Sequence, residues 1–343
     1  MWNRARLVLL SGAALLLLPV SAHADKYAGE FLRLGAGARP LGMGGAFVAL
    51  ADDASAVYWN PAGLAGATDR EVLLMHAEQF GNLVNYDFGA FALPLGSGVH
   101  PSAVGLGIVR LGVDDIPITS DAYLDFGLDG IDGTNDQGEG NGMYDVGETI
   151  DTNKFRYDSD VEMAFLVSYA RGLSDKVWVG GTLKLLRQEL LNNSSFGIGA
   201  DLAALFFARP DLSVGLRLAD ITTTQISWDT GTRESISPTV LLGAQYTRQI
   251  APLRGIITAS ADVDLAFDGA ETASQFSSGA LGGEFGAGLE YWFQRTVALR
   301  VGMDAGNMTA GAGLRASRFG VDYAFVGHDE FDDSHRVSGS VTF

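Results

Sequence analysis

From about residue 70 to the end of the chain, apolar and polar positions alternate with a period of two in segments of roughly 8 to 14 residues, the length a tilted strand needs to cross a hydrocarbon layer. Fourteen segments are counted, at 70–79, 84–93, 102–112, 159–171, 176–189, 195–208, 212–219, 238–248, 254–265, 283–293, 296–304, 308–315, 318–326 and 335–343. In one of them Val297, Leu299, Val301 and Met303 share a face, and Ala298, Arg300, Gly302 and Asp304 share the other. An arginine facing lipid at the midplane would cost roughly 2–4 kcal/mol, so Arg300 is expected to face a lumen. The same rule turns Phe285, Leu289, Tyr291, Phe293, Phe319, Val321, Tyr323 and Phe325 outward. It turns Glu162, Lys184, Asp201, Arg217, Gln245, Glu284, Glu290 and Asp322 inward.

The loops separate a barrel from a soluble sandwich. Those after strands 2, 4, 6, 8, 10 and 12 are short, while those after strands 3, 7, 9 and 13 are long and polar; those after strands 1, 5 and 11 are short too, so the rule holds on one side only. Short turns on one side and longer loops on the other are the bacterial transmembrane arrangement, and an even strand number places both ends of the strand series on the periplasmic side. The pattern predicts an all-β, 14-stranded antiparallel transmembrane β-barrel over 69–343. Tyr246, Tyr291, Phe293 and Phe343 stand near strand ends, as interfacial aromatics do.

Ahead of the strands, residues 35–66 follow neither period. They carry adjacent carboxylates at Asp52 and Asp53 and a Trp59-Asn60-Pro61 stop amid glycines and alanines, a composition suited to close backbone packing. Residues 25–68 are therefore expected to form a compact plug or hatch. A dinucleotide loop does not fit, because Pro40 stands where the third glycine is needed, and no G-x-x-x-x-G-K-[ST] occurs.

Residues 1–24 have the build of a secretory signal, with Arg4 and Arg6, the apolar run Leu7–Val20, and Ala22-His23-Ala24 before Asp25. The 343 residues are 47% hydrophobic and contain 45 glycines and no cysteine, so disulfides and thiolate metal sites have no place. After residue 24 no continuous run of about 20 apolar residues exists, which a helical span would need. A net charge of -18 speaks against a nucleic-acid partner. The expected address is the outer membrane of a diderm bacterium, with lipid and the barrel-assembly machinery as first partners.

Much of that charge sits in one place. Between Val113 and Asp160 thirteen Asp and Glu oppose Lys154 and Arg156, so 113–158 is expected to be a long acidic outer loop. Within it Gln137, Glu139, Asn141, Gly142, Asp145 and Glu148 follow EF-hand spacing, with Gln137 in place of the first aspartate and Asp132 or Asp136 as substitutes. Calcium ligation by Asp132, Asp136, Glu139, Asn141, Asp145 and Glu148 is one reading, and a merely solvated loop is the other. No other cofactor is expected. Enzymatic chemistry finds no support: the histidines are scattered, Asp333-Ser334-His335 is contiguous and so cannot form a triad, and neither G-x-S-x-G nor H-E-x-x-H occurs.

The segment Gly37–Ala65 resembles, almost residue for residue, the opening "GARxxGMGGAFVAxADDAxAxYWNPAGLA" of PorV/PorQ-type outer-membrane barrels within the FadL-like hydrophobic-transport superfamily. The tail ending His335-Arg336-Val337-Ser338-Gly339-Ser340-Val341-Thr342-Phe343 resembles theirs too, with Phe331 replacing a leucine. The resemblance implies an N-terminal plug inside the barrel, with Asn60, Pro61, Ala62 and Gly63 as a gating turn and Phe343 as the assembly signal. From the residues themselves, Asp52 and Asp53 fit helix-cap or turn roles as well as ligand contacts. Trp59 and Tyr58 fit either the lining of a passage or packing of the plug. Two functions follow from the resemblance: a membrane partner in type IX-like protein secretion, working with secretion components, or a passive FadL-like transporter of a hydrophobic ligand such as a long-chain fatty acid.

Overall fold

The structure, a computed structural model, describes residues 29–343 apart from 80–82, 99, 121, 146–147, 268–274, 279–280 and 328–332. The signal expected at 1–24, Phe331 and His328 lie outside the described residues. Fourteen antiparallel strands close into a barrel: β1 Glu71–Gln79, β2 Val84–Gly96, β3 Ser102–Ile118, β4 Arg156–Ser174, β5 Val177–Leu190, β6 Asn193–Arg209, β7 Leu212–Ala219, β8 Thr239–Ile250, β9 Gly255–Ala266, β10 Leu281–Phe293, β11 Val297–Asp304, β12 Asn307–Ala316, β13 Phe319–Val326 and β14 Ser334–Thr342. The ring is closed by β1 against β14, from Glu71 opposite Thr342 to Glu78 opposite His335. Closure leaves no strand edge in lipid, where unpaired backbone groups would go unsatisfied. Among the described residues no helix is long and apolar enough to cross a membrane.

Side chains sort as a period of two requires. Leu299, Val301, Leu289, Phe319 and Val321 are exposed on the outer wall, whereas Arg300, Glu290, Asp322, Lys184 and Asp201 are buried inside. Leu299→Arg, which places a charge in the apolar band, is expected to destabilise the protein by roughly 2–4 kcal/mol. Guanidinium unfolding in lipid vesicles reads this, and an unchanged midpoint would show that the outer wall does not face lipid.

All short loops after even-numbered strands lie at the rim that also carries Glu71 and Thr342, here the terminal rim; the long ones rise from the opposite, loop rim. At the loop rim a short strand, Phe276–Ser278, folds onto Leu281–Gly283 of β10, and two larger features differ from the expected layout. First, β3 and β4 run on to Ile118 and from Arg156, through a bulge between Val113 and Ile116 with Asp115 at φ 57. The acidic segment proper is therefore 119–155, with a two-residue ribbon at Tyr123–Leu124 and Thr149–Ile150. Second, an added hairpin, Thr224–Trp228 with Arg233–Ile236, pairs with the upper half of β6. Asp220 and Thr223, both with φ above 50°, mark the kink between β7 and this hairpin.

The segment from Gly29 to Ala67 fills the lumen. It is built of short helical turns at 30–33, 38–41, 56–59 and 61–66. None is long enough to hold itself in water, so the wall must hold them. On one side Phe31, Val57, Tyr58 and Leu64 form a common core with Tyr86, Phe88, Val109 and Leu166 of β2–β4. On the other side backbone meets backbone. A side-chain carbon at Gly288 of β10 would collide with the carbonyl of Met43, and one at Gly180 of β5 or Gly215 of β7 with the plug backbone at Pro61–Ala62 or Val48. At these positions glycine in the inward-facing wall lets the plug approach.

Candidate functional site

Cavities lie in the lumen on both sides of the plug. A loop-side cavity of about 270 Å³ is lined by Leu41, Trp59, Lys184, Asp264, Glu284 and Asp304, among others. A terminal-side cavity of about 500 Å³ is lined by Arg39, Asp52, Glu71, Thr258, Trp292 and Arg315, among others. Whatever joins these two spaces must disturb the plug, so its attachments define the site.

Arg39 is the principal polar attachment. Its Nε and Nη2 donate to the two oxygens of Glu290 on β10, each at 2.9 Å, a bidentate pair. Its Nη1 donates to Asp52 at 2.5 Å and to Asp53 at 3.1 Å. Glu290 also accepts from Arg300 Nε at 2.7 Å; Arg300 Nη1 donates to Asp322 at 2.8 Å; and Arg315 lies 2.7 Å from Asp322. An alternating chain of charges thus runs from the plug through β10 and β11 to β13 and β12. Burial opposes the charge on Arg39, but Asp52, Glu290 and Asp53 together hold its pKa well above the ordinary arginine value. The network exists because the register sets Glu290 directly opposite Arg300, and because a buried, inward-facing charge is costly without a partner.

Further bonds fix the plug at single points. The amide of Ala38 donates to Ser338 Oγ on β14 at 2.8 Å, and that of Val48 to Asp262 Oδ2 on β9 at 2.7 Å. A second wall network joins Lys184 of β5 to Asp201 at 2.7 Å and to Asp220 at 2.5 Å, with Arg217 on Asp201 at 2.7 Å.

The plug residues singled out in the sequence fall as follows. Asp52 and Asp53 both pair with Arg39, and Asp53 Oδ1 also accepts from the Ser55 amide at 2.9 Å, a turn-stabilising bond. Asn60 is fully buried; its Nδ2 donates to the carbonyl of Val48 at 2.7 Å, and its Oδ1 accepts from the Ala62 amide at 3.0 Å, so it caps the turn that Pro61, Ala62 and Gly63 continue. Trp59 Nε1 donates to the carbonyl of Ala36 at 2.6 Å, and Tyr58 Oη donates to that of Leu32 at 2.5 Å; both rings line the loop-side cavity as well. Phe343 sits at the terminal rim, its amide donating to the carbonyl of Arg70 at 2.9 Å.

In the acidic loop the carboxylates serve the backbone rather than one another. Asp136 accepts from the Asp129 amide at 2.9 Å, Glu139 accepts from the amides of Gly133 and Asn135, and Glu148 accepts from the Asp145 amide at 2.8 Å. Asp145 accepts from the Asn141 side chain at 2.7 Å, and Asp132 is exposed. Among the described residues no three His, Asp or Glu side chains come together as a metal site requires. Arg39 went unnoticed in the sequence, although the only cation in a run of small residues between Gly35 and Gly66 is a signal that could have found it.

No curated protein matches the sequence. The model of an uncharacterised protein family, UPF0164, matches residues 13–88. Solved structures match over nearly the whole barrel. The toluene transporter TodX of P. putida is 12% identical, with 90% of this chain and 99% of that chain covered at a TM-score of 0.52. The CymD monoaromatic hydrocarbon channel is 12% identical, with 90% and 98% covered at 0.52. A Pseudomonas aeruginosa FadL homologue is 12% identical, with 88% and 96% covered at 0.50. What this chain has in common with those FadL-like barrels, at such low identity, is the fold.

Proposed function

We propose that this protein is a plugged outer-membrane channel that passes small hydrophobic molecules by rearrangement of residues 29–67. The observation that carries the reading is a plug seated wholly inside a closed barrel with a cavity on either side of it. A folding module that only needed stability would have no reason to leave two spaces around a separately attached core. The likeness in fold to hydrocarbon channels supports the same class of solute. In this reading the terminal rim faces the periplasm and the acidic loop faces the medium.

Expression of the full chain in a diderm host is expected to raise uptake of a labelled alkylbenzene several-fold over cells carrying the empty vector. Uptake indistinguishable from the empty vector, with the folded barrel present in the membrane, would remove the proposal.

The motif resemblance over Gly37–Ala65 and the tail supports a second reading, a PorV/PorQ-type partner in protein secretion. Recovery of secretion components with the protein in mild detergent would favour it. On either reading, removal of Phe343 is expected to cut the folded membrane population several-fold, because the last residue pairs with Arg70 at the closing seam. Heat-modifiable gel mobility measures that population, and a normal level would dissociate Phe343 from assembly.

A further inference from the structure

Charge is sorted along the barrel axis as well as across the wall. On the loop side, thirteen Asp and Glu between Val113 and Asp160 oppose only Lys154 and Arg156. At the terminal rim the balance is reversed. Arg171, Lys176, Arg209, Arg248, Arg254 and Arg318 are all exposed there, and they outnumber Asp69, Asp175 and Asp211, the carboxylates of its turns. Among the described residues only Arg209 of these cations has a carboxylate partner, Asp211 at 3.0 Å. The lumen is built differently: Arg39, Lys184, Arg217 and Arg300 are each matched by a carboxylate. The rim thus leaves its cations free for something outside the chain.

Their height and spread say what that is. On β4 the outward-facing series Phe165, Val167, Tyr169 continues into Arg171, and on β8 Leu242, Ala244, Tyr246 continues into Arg248. The Arg209 guanidinium lies 6.0 Å from the centre of the Tyr246 ring. Arg254 directly follows Leu253, whose carbonyl accepts from Tyr291 Oη at 2.8 Å. Each of these four arginines stands one step beyond an aromatic at the edge of the apolar band, the level of lipid phosphates. The cations are also distributed around the ring, from β4 to the turn between β12 and β13. A docked protein would call for them on one side, whereas lipid surrounds the barrel on all sides.

We propose that the terminal rim binds anionic phospholipid, with Arg209 and Arg248 beside Tyr246 as the principal seat of a headgroup phosphate. A guanidinium suits a phosphodiester because it donates two parallel hydrogen bonds, and the acyl chains then run over Val214 and Leu242, both exposed on the outer wall of β7 and β8. The acidic loop side repels the same headgroup, so anionic lipid is gathered in one leaflet only. The inference depends on the outer wall facing lipid and not on what passes through the lumen.

The test uses the purified full chain in an uncharged detergent at low salt, titrated with phosphatidylglycerol and with phosphatidylcholine of the same chains, and bound lipid is counted by native mass spectrometry. Phosphatidylglycerol is expected to bind at a concentration at least fivefold lower, a preference that shrinks as salt is added. Arg209→Gln with Arg248→Gln is expected to weaken phosphatidylglycerol at least threefold and leave phosphatidylcholine unchanged, with gel mobility confirming the folded barrel. Arg187→Gln is the control, because Arg187 lies on the outer wall toward the loop rim and already pairs with Glu189 at 3.0 Å; it should bind both lipids as the unaltered protein does. Glycerol phosphate, which carries the headgroup charge without chains, should fail to displace the lipid. Equal binding of the two lipids by the unaltered protein, or displacement by glycerol phosphate, would overturn the proposal whether or not the double variant folds. An equal loss in the Arg187 control would overturn the assignment to the terminal rim.

Discussion

Arg39→Ala is expected to loosen the plug and destabilise the whole protein by about 3–5 kcal/mol, the range for removing one partner of a buried ion pair. The substitution leaves Glu290, whose side chain is 1% exposed, with one guanidinium instead of two, and sets Asp52 beside Asp53 with no cation between them. Arg300 still reaches Glu290, so the loss should fall toward the lower end of that range. Unfolding in lipid vesicles measures the stability. Single-channel recording measures the plug: the unaltered protein should be nearly silent, and the variant should show openings. The double variant Arg39→Met with Asp53→Asn should recover part of the stability without closing the channel, because it relieves the repulsion between Asp52 and Asp53 but does not restore the missing attachment. A variant that unfolds at the original denaturant concentration and stays silent would mean that apolar packing on β2–β4 seats the plug alone.

Gly288→Val should act by a different route and at least as strongly. The wall here is in contact with the plug through backbone alone, and Met43 O cannot move aside as a flexible side chain would. Overpacking of a tight site costs typically 1–3 kcal/mol and occasionally more. With main chain on both sides of the clash, about 3 kcal/mol or more is expected, relieved only by lifting the plug off β10. Protease added to the purified barrel should then cut within residues 29–67, which the unaltered barrel protects. Gly339→Val is the matched control: it changes the same residue type on β14, where nothing lies within 4 Å of the added carbon, and no cleavage or loss of stability should follow. Equal behaviour of the two variants would show that the contact at Gly288 does not seat the plug.

The barrel was legible in the sequence because lipid imposes a simple rule on each strand separately. Every expected span lies within a few residues of the observed one outside β3 and β4, and Arg300, Glu290 and Asp322 point inward as the cost of a lipid-facing charge demands. The rule fails where lipid ends. Residues 114–118 and the hairpin at 224–236 lie beyond the apolar band, alternate poorly, and owe their strand geometry to pairing partners distant in the chain. The plug was legible only as a composition of small residues. Its central attachment joins Arg39 to a carboxylate 251 positions away, and no local pattern encodes such a pair.

The bond from Ala38 to Ser338 spans 300 positions, and the seam between β1 and β14 joins the two ends of the strand series. Contacts so remote in the chain form late and slowly. The segment made first must therefore wait, unsupported, until the segment made last completes the hoop around it. On the channel reading, opening then proceeds by shifting this captive within a ring that stays closed.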